Sequence, residues 1–270
     1  MKNIFEFGEK RTKRNYTVYD LLKLKGKKKL TQVNVMNGIE AYAAAQANID
    51  MFIGPFHNID EIRANAPHQF YTAVFIHKEH HNKDDLLKAS MTALENGADA
   101  IYTPKNPHVV EYLARESIPV MAHLGFIPVK STWSGGIRGA GKSAEEAYKL
   151  YQQFKDMENA GAFAVESEII AENVLTEISK RTSMLTVSLG SGNGGDVNYL
   201  FMCDICGENE VAPRHAIKYG NLLSLHQKIQ KERIQSLKKF NREAKKNNFA
   251  KQKNIVSISK NEFNEFLDLI

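Results

Sequence analysis

The sequence predicts an α/β fold, a (β/α)8 TIM barrel with extra N-terminal and C-terminal helices, and three observations carry that reading. One phrase recurs with variations, AQANIDMFIG, ENGADAIYT and NAGAFAVE. Each is the end of an amphipathic helix, a small or helix-stopping residue, then a short apolar strand. Gly97 and Gly161 suit the left-handed position that turns a helix sharply into the strand after it, so these junctions imply parallel strands. Eight such units fit into about 200 residues, the economy of a closed barrel; an open doubly wound sheet of six or seven strands is the competing arrangement. At 270 residues and 43% hydrophobic, the chain can bury such a core as one domain.

In chain order, strands are expected near Val33–Met36, Met51–Ile53, Tyr71–Ile76, Ala100–Thr103, Val120–Ala122, Phe163–Val165 and Leu185–Leu189, with an eighth near Leu200–Ile205. Helical stripes lie between most of them, over Gly38–Ala47, Lys83–Glu95, His108–Arg115, Ala144–Asn159 and Ala171–Arg181. Residues 1–16 read as an N-terminal extension and 17–212 as the barrel. Residues 213–246 read as one or two basic helices packed outside it, and the stretch after Asn247 is too polar to assign.

No 18-residue apolar run occurs, so no membrane span is expected. MKNIFEFGEKRTKRNY lacks the apolar block of a secretory signal, and Glu6 and Glu9 argue against a transit peptide, which leaves the cytoplasm as the expected compartment. Charge is uneven: residues 1–30 carry ten Lys/Arg against three acids, and 213–253 carry twelve against two. These runs lack regularly interleaved aromatics and read as solvated helix faces rather than as a nucleic-acid footprint. Cys203 and Cys206, in CDIC, read as reduced thiols, because neither a strand-to-helix redox setting nor two further zinc ligands are evident.

GIRGAGKS, residues 136–143, satisfies the phosphate-loop pattern G-x-x-x-x-G-K-[ST] letter for letter. That pattern needs a buried strand running into its first glycine and a helix leaving its Ser/Thr. Ser143 and Glu146 do look like the start of a helix, as in a capping box. Upstream, however, stands the polar VKSTWSGG. The match reads as coincidence, the loop instead arching over the barrel mouth as a lid.

In a barrel of this kind the active site lies where strands end and βα loops begin. The candidates are then Asn37, Gly54-Pro55-Phe56, His77, Tyr102 to Lys105, His123, Glu166 and Gly190. Glu166, ending an apolar strand, would be partly desolvated, which raises its pKa and suits it to proton transfer; a structural ion pair is the alternative. Glu168 is its local substitute, with a side chain expected to face away through strand alternation. His77, Glu79 and His81 alternate along HKEHH and could offer ligands to a transition metal, with His57 and His123 near across the mouth, although histidines in a charged loop are ordinarily solvated.

From about residue 17 to 246 the chain resembles the ketopantoate hydroxymethyltransferase family of the phosphoenolpyruvate mutase and isocitrate lyase superfamily. IPVMAHLGFIP, GGIRGAGKSAEEA and ENAGAFAVESEI follow the family's H-L-G-[LF]-x-P, G-G-[FY]-x-x-x-G and A-G-A-x-x-x-x-[LV]-E. TVYDLLKLKGKKKLTQVNVMN, LGSGN and PRHAIKYGNL are similar to its opening helix and strand, its G-x-G-A-G and its P-[RK]-x-x-[KR]-x-[YF]. The resemblance implies an aldol-type addition to a small 2-oxo acid in pantothenate biosynthesis. There a base removes the C3 proton of 2-oxoisovalerate, methylenetetrahydrofolate supplies a one-carbon unit, and Mg²⁺ acts as Lewis acid. It further implies a homo-oligomer, Glu166 at the base position, His123 at the mouth as a substrate-binding group, and the second half of GIRGAGKS as lid glycine and helix cap.

Departures fall on the metal site. The family's V-G-D-S reads IGPF, which puts Pro55 and Phe56 at the Asp and Ser. Its K-x-E at strand four reads YTP, which puts Tyr102 and Pro104 at the Lys and Glu, and its Asp after strand three falls at His77. Tyr102, His77 and Lys105 are then the groups at hand to bind substrate, Lys105 supplying the positive charge an anion needs. Three readings follow. The chain is a hydroxymethyltransferase-like enzyme acting on a small 2-oxo acid; or a metal-independent lyase, condensing or isomerising enzyme of the same superfamily; or a non-catalytic barrel serving as a binding or assembly partner.

Overall fold

The computed structural model of the protein describes residues 1–75 and 80–270. Eight parallel strands close into a barrel: β3 (Leu30–Asn34), β4 (Met51–Pro55), β5 (Phe70–Val74), β6 (Ala100–Tyr102), β7 (Val120–Gly125), β8 (Ala164–Glu168), β9 (Leu185–Leu189) and β10 (Val197–Leu200), with β10 pairing back onto β3. A short antiparallel hairpin precedes them, β1 (Lys2–Phe5) with β2 (Arg11–Arg14). Between them run α1 (Val18–Leu24), α2 (Gly38–Gln46), α3 (Ile59–Asn65), α4 (Lys83–Glu95), α5 (Pro107–Arg115), α6 (Ser131–Ser134), α7 (Ala144–Asn159) and α8 (Glu172–Ser179).

Local chemistry accounts for most boundaries. The α2, α4, α5 and α7 helices begin after Asn37, Asn82, Asn106 and Ser143, each of which accepts a hydrogen bond from a first-turn backbone N–H. Ser143 caps Glu146 N as expected, but the Glu146 carboxylate turns to Lys142 N and Arg138, so the capping box is only half formed. Gly97 and Gly161 have φ of +101° and +88°, the conformation that the αβ junctions require.

Period-two alternation divides each strand between two cores. Leu30, Met51, Ile53, Phe70, Met121, Ala164, Leu185 and Val187 fill the barrel, while Val33, Phe52, Tyr71, Ile101, Ala122 and Val165 pack outward against the helices. On β8 this sends Ala164, Glu166 and Glu168 to one side and Val165 and Ser167 to the other.

Three expectations are corrected. The first strand starts at Leu30 rather than Val33. The eighth is Val197–Leu200, and most of the Leu200–Ile205 stretch expected to form it lies in the short helix α9 (Met202–Cys206). CDIC therefore does open a helix after a strand; both cysteines are half-buried and neither forms a disulfide. Helix α3, short and interrupted by charge, and the β1–β2 hairpin were not anticipated. The phosphate-loop condition fails as argued: β7 ends at Gly125, and the turn of helix Ser131–Ser134 stands directly before Gly136.

Two compact units emerge. One comprises residues 1–206 and 211–219, the barrel with its hairpin; the other comprises 207–210 and 220–270. Within the second, α10 (Leu222–Lys245) is 24 residues long and contains no buried residue, and α11 (Lys260–Asp268) follows in the stretch left unassigned from sequence. No helix among the described residues is long and apolar enough to cross a membrane.

Candidate active site

Neighbouring strands β6, β7 and β8 bring three predicted residues together inside the barrel at its C-terminal end. His123 and Glu166 are register partners on β7 and β8, and Tyr102 pairs with Met121 on β7. Tyr102 Oη lies 2.7 Å from His123 Nδ1 and donates across 3.5 Å to Glu166 Oε1. One phenolic proton cannot serve both acceptors. We therefore assign the short bond to Nδ1–H donating to the phenol oxygen, with the phenolic proton turned to Glu166.

That assignment leaves His123 Nε2 facing two carboxylates, Glu168 Oε2 at 3.0 Å and Glu166 Oε1 at 3.7 Å. The 3.0 Å approach lies off the hydrogen-bonding direction, so Nε2 is close to Glu168 without a directed bond. Burial pushes the Glu166 carboxyl up to about 7; His123 opposes the rise, Glu168 adds to it and the Tyr102 hydrogen bond moderates it. Burial also raises Tyr102 and Tyr199 well above the ordinary phenol range, with Glu166 and Glu168 reinforcing the effect, so both stay neutral hydroxyls.

Glu166 and Tyr102 open into a cavity of about 540 Å³ whose other walls include Asn34, His57, Val74, Tyr199 and Phe201. The Asn34 side-chain oxygen accepts from Met202 N, which leaves its NH2 as a donor. No residue of the 126–143 loop lines this cavity. Ala140 N donates to Ile169 O and Ala140 O accepts from Ala171 N, so the loop is pinned beside the end of β8 rather than over the opening, contrary to the lid expectation.

Among the other sequence candidates, Lys105 is half-buried and does not line the cavity, and His81 is exposed. His77 and Glu79 lie outside the described residues. The expectation that Glu168 faces away is overturned: residues 166 and 168 are two apart, so one period of alternation returns Glu168 to the side of Glu166. Tyr199 escaped the sequence reading because the eighth strand was placed too late. The alternation of Val197, Tyr199 and Phe201 was the available signal.

The positions that hold magnesium in the resembled family do not fit a hard cation here. Pro55 has no side-chain donor, and its carbonyl accepts from Tyr71 Oη at 2.8 Å. Phe56 stacks on Phe75 with centroids 4.7 Å apart and also packs against His57 and His80. Tyr102 is engaged with His123, and Pro104 is buried. Aromatic packing occupies places where carboxylates and water would be needed. Among the described residues, His123, Glu166 and Glu168 alone bring three possible ligand atoms within 4.8 Å of one another.

Residues 59–252, more than two thirds of the chain, match the profile of the family described as ketopantoate hydroxymethyltransferase. The 3-methyl-2-oxobutanoate hydroxymethyltransferases of Kosmotoga olearia and Thermotoga maritima are each 28% identical to the chain; the matches cover 88% and 86% of it and 96% and 93% of those relatives. Among solved structures, 2,3-dimethylmalate lyase, a PEP mutase/isocitrate lyase superfamily member, superposes with a TM-score of 0.54 at 10% identity, over 82% of this chain and 87% of that one. That last likeness is one of fold.

Proposed function

We propose, from the premise that this chain belongs to the ketopantoate hydroxymethyltransferase family, that it is an enzyme which enolises a small 2-oxo acid and makes or breaks a C–C bond at the activated carbon. Glu166 is the base in this reading. The observation that carries it is a buried carboxyl, raised to about 7, that borders a 540 Å³ cavity beside a neutral phenol. A carboxyl poised near neutrality accepts a carbon-bound proton and returns it later, which a carboxylate of ordinary pKa does less well.

The neutral Tyr102 hydroxyl is the donor at hand for the enolate oxygen, with His123 behind it as a positioning residue through the 2.7 Å bond. Glu168 Oε2 lies 3.0 Å from the other ring nitrogen. The reading routes no step through magnesium, because Pro55, Phe56 and Pro104 have no ligand to offer at the family's metal positions. It therefore departs from the one-carbon transfer of the relatives in how the enolate is stabilised.

The test is proton-for-deuteron exchange at C3 of 2-oxoisovalerate and related 2-oxo acids, followed by NMR with magnesium added and with chelator added. Exchange that is saturable and insensitive to magnesium supports the reading. Exchange that requires magnesium removes the metal-independent part of it. The absence of exchange with every acid in the series, in a protein shown to be folded, favours the non-catalytic alternative.

Tyr102→Phe is a sharper probe. Removing one preorganised donor should lower kcat by about 10²-fold. The Tyr102 hydrogen bond holds the Glu166 carboxyl down, so its loss should also move the midpoint of the pH profile upward. An unchanged rate and midpoint would take Tyr102 out of the site.

A further inference from the structure

A second cavity, of about 790 Å³, opens between the 137–142 loop, the run that continues β8 and the 213–215 segment. Arg138, Lys142, Arg214 and His215 line it, and no carboxylate does. Arg138 is neutralised by Glu146, with a 2.6 Å ion pair. Lys142, Arg214 and His215 make no ion pair with any described residue. Glu146 acts electrostatically on Lys142 as well as on Arg138, so four basic groups converge on one hollow with a single carboxylate acting on two of them, although the barrel portion of the chain is otherwise rich in acids.

The hollow also has an apolar wall, formed by Ile137, Ile169, Ile170 and Pro213. Ile169 holds φ at +50°, a left-handed conformation that a β-branched side chain rarely adopts. Two backbone bonds hold it there: its N–H donates to Leu189 O at 2.8 Å, and its carbonyl accepts from Ala140 N at 2.9 Å. Strain retained against such a preference concentrates at ligand clamps and functional loops. Across the hollow, Gly190 (φ +66°) lets the His215 ring lie against the backbone, where a Cβ would come within 2.9 Å of its Cγ. These walls are preformed rather than dependent on closure.

We propose that this cavity is a second binding site, for an organic anion that joins one acidic head to an apolar body. Lys142, Arg214 and His215 receive the head, and the Ile137, Ile169 and Pro213 wall receives the body. A bare inorganic anion would leave the apolar wall exposed, and a neutral apolar molecule would leave the cations unused, so both parts are needed for affinity. The site shares no residue with the Glu166 cavity and does not depend on Glu166 acting as a base.

The experiment is calorimetric titration of the full chain with three probes of one shape: 2-naphthoate, 2-naphthyl phosphate and the neutral 2-naphthalenemethanol. Saturable binding of the anions, with the alcohol at least about tenfold weaker, is expected, and the order of the two anions distinguishes carboxylate from phosphate as the preferred head. Lys142→Ala and Arg214→Ala should each weaken the anions by roughly tenfold, the scale of one charge-assisted bond, while Glu166→Gln leaves their affinity unchanged. In the wild type, affinity should fall as KCl is raised. Equal binding of anion and alcohol, indifference to both cation variants, or salt independence would overturn the proposal. Loss of binding in Glu166→Gln would also overturn it, because the probes would then occupy the other cavity.

Discussion

Glu166→Gln is expected to lower the rate of C3 proton exchange by about 10³-fold, within the range that a positioned general base contributes. Glutamine keeps the shape of the side chain and its ability to accept from Tyr102, so what is lost is the capacity to take a proton. In the wild type, kcat/KM for exchange should rise with pH through about 7, where the raised carboxyl ionises, and this limb should be missing from the residual activity of the variant. Equal exchange in the two proteins would remove Glu166 as the base.

Stability provides a readout of the same carboxyl that needs no substrate. Its proton is held more tightly in the folded chain, at about 7, than in the unfolded chain, near the ordinary 4.5. The folded state therefore binds the extra proton between those two values. The stabilisation is fully present below about pH 4.5 and is lost progressively as pH rises through about 7, a difference of roughly 3 kcal/mol. Glutamine cannot ionise, so Glu166→Gln should unfold at a higher temperature than wild type at pH 8, with the gap narrowing toward pH 5. A gap that widens toward acid would mean that the carboxylate is stabilised by an ion pair, and the proposed role would fall with it.

Arg14→Ala is expected to destabilise the barrel by about 3–5 kcal/mol, the cost of removing one partner from a buried ionic network. Arg14 is 1% exposed and lies where the β1–β2 hairpin meets the loops that lead into the strands. Its Nε donates to Asp99 Oδ1 at 2.8 Å, and its two terminal nitrogens donate to Glu6 Oε1 at 2.6 Å and to the Pro67 carbonyl at 2.9 Å. Asp99 accepts in addition from Arg63 at 2.7 Å and from Tyr71 N at 2.9 Å, so one guanidinium ties the hairpin to two separate βα units. Alanine leaves Glu6 without this guanidinium and Asp99 with only that of Arg63. A drop in Tm on the order of 10 °C should follow. Lys13→Ala, at the exposed neighbouring position, should change stability by no more than about 0.5 kcal/mol. Equal melting of the Arg14 and Lys13 variants would show that the network contributes nothing net.

The helix start legible in the sequence was the one with a capping side chain before an amphipathic run, at Ser143. Strand ends were less legible, because an apolar run does not mark where its hydrogen-bonded ladder stops. The eighth strand shows the consequence. LFMCDIC looked apolar enough to be a strand, so the register moved past Tyr199, and a residue at the heart of the site was missed. Glu168 was misjudged for a different reason: alternation was applied to it one step out of phase.

By itself the sequence determined the repeat of helix, small residue and strand, the family, and the identity of Glu166, His123 and Tyr102 as strand-end residues. Each of these is encoded within a few neighbouring positions, by periodicity, capping chemistry or a local motif. Only the tertiary structure decided that those three side chains meet, that Glu168 joins them, and that the 126–143 loop lies beside β8 instead of over the cavity. Register between strands brings together residues 21 to 64 positions apart, and the raised carboxyl of Glu166 exists only once those strands exclude water from around it.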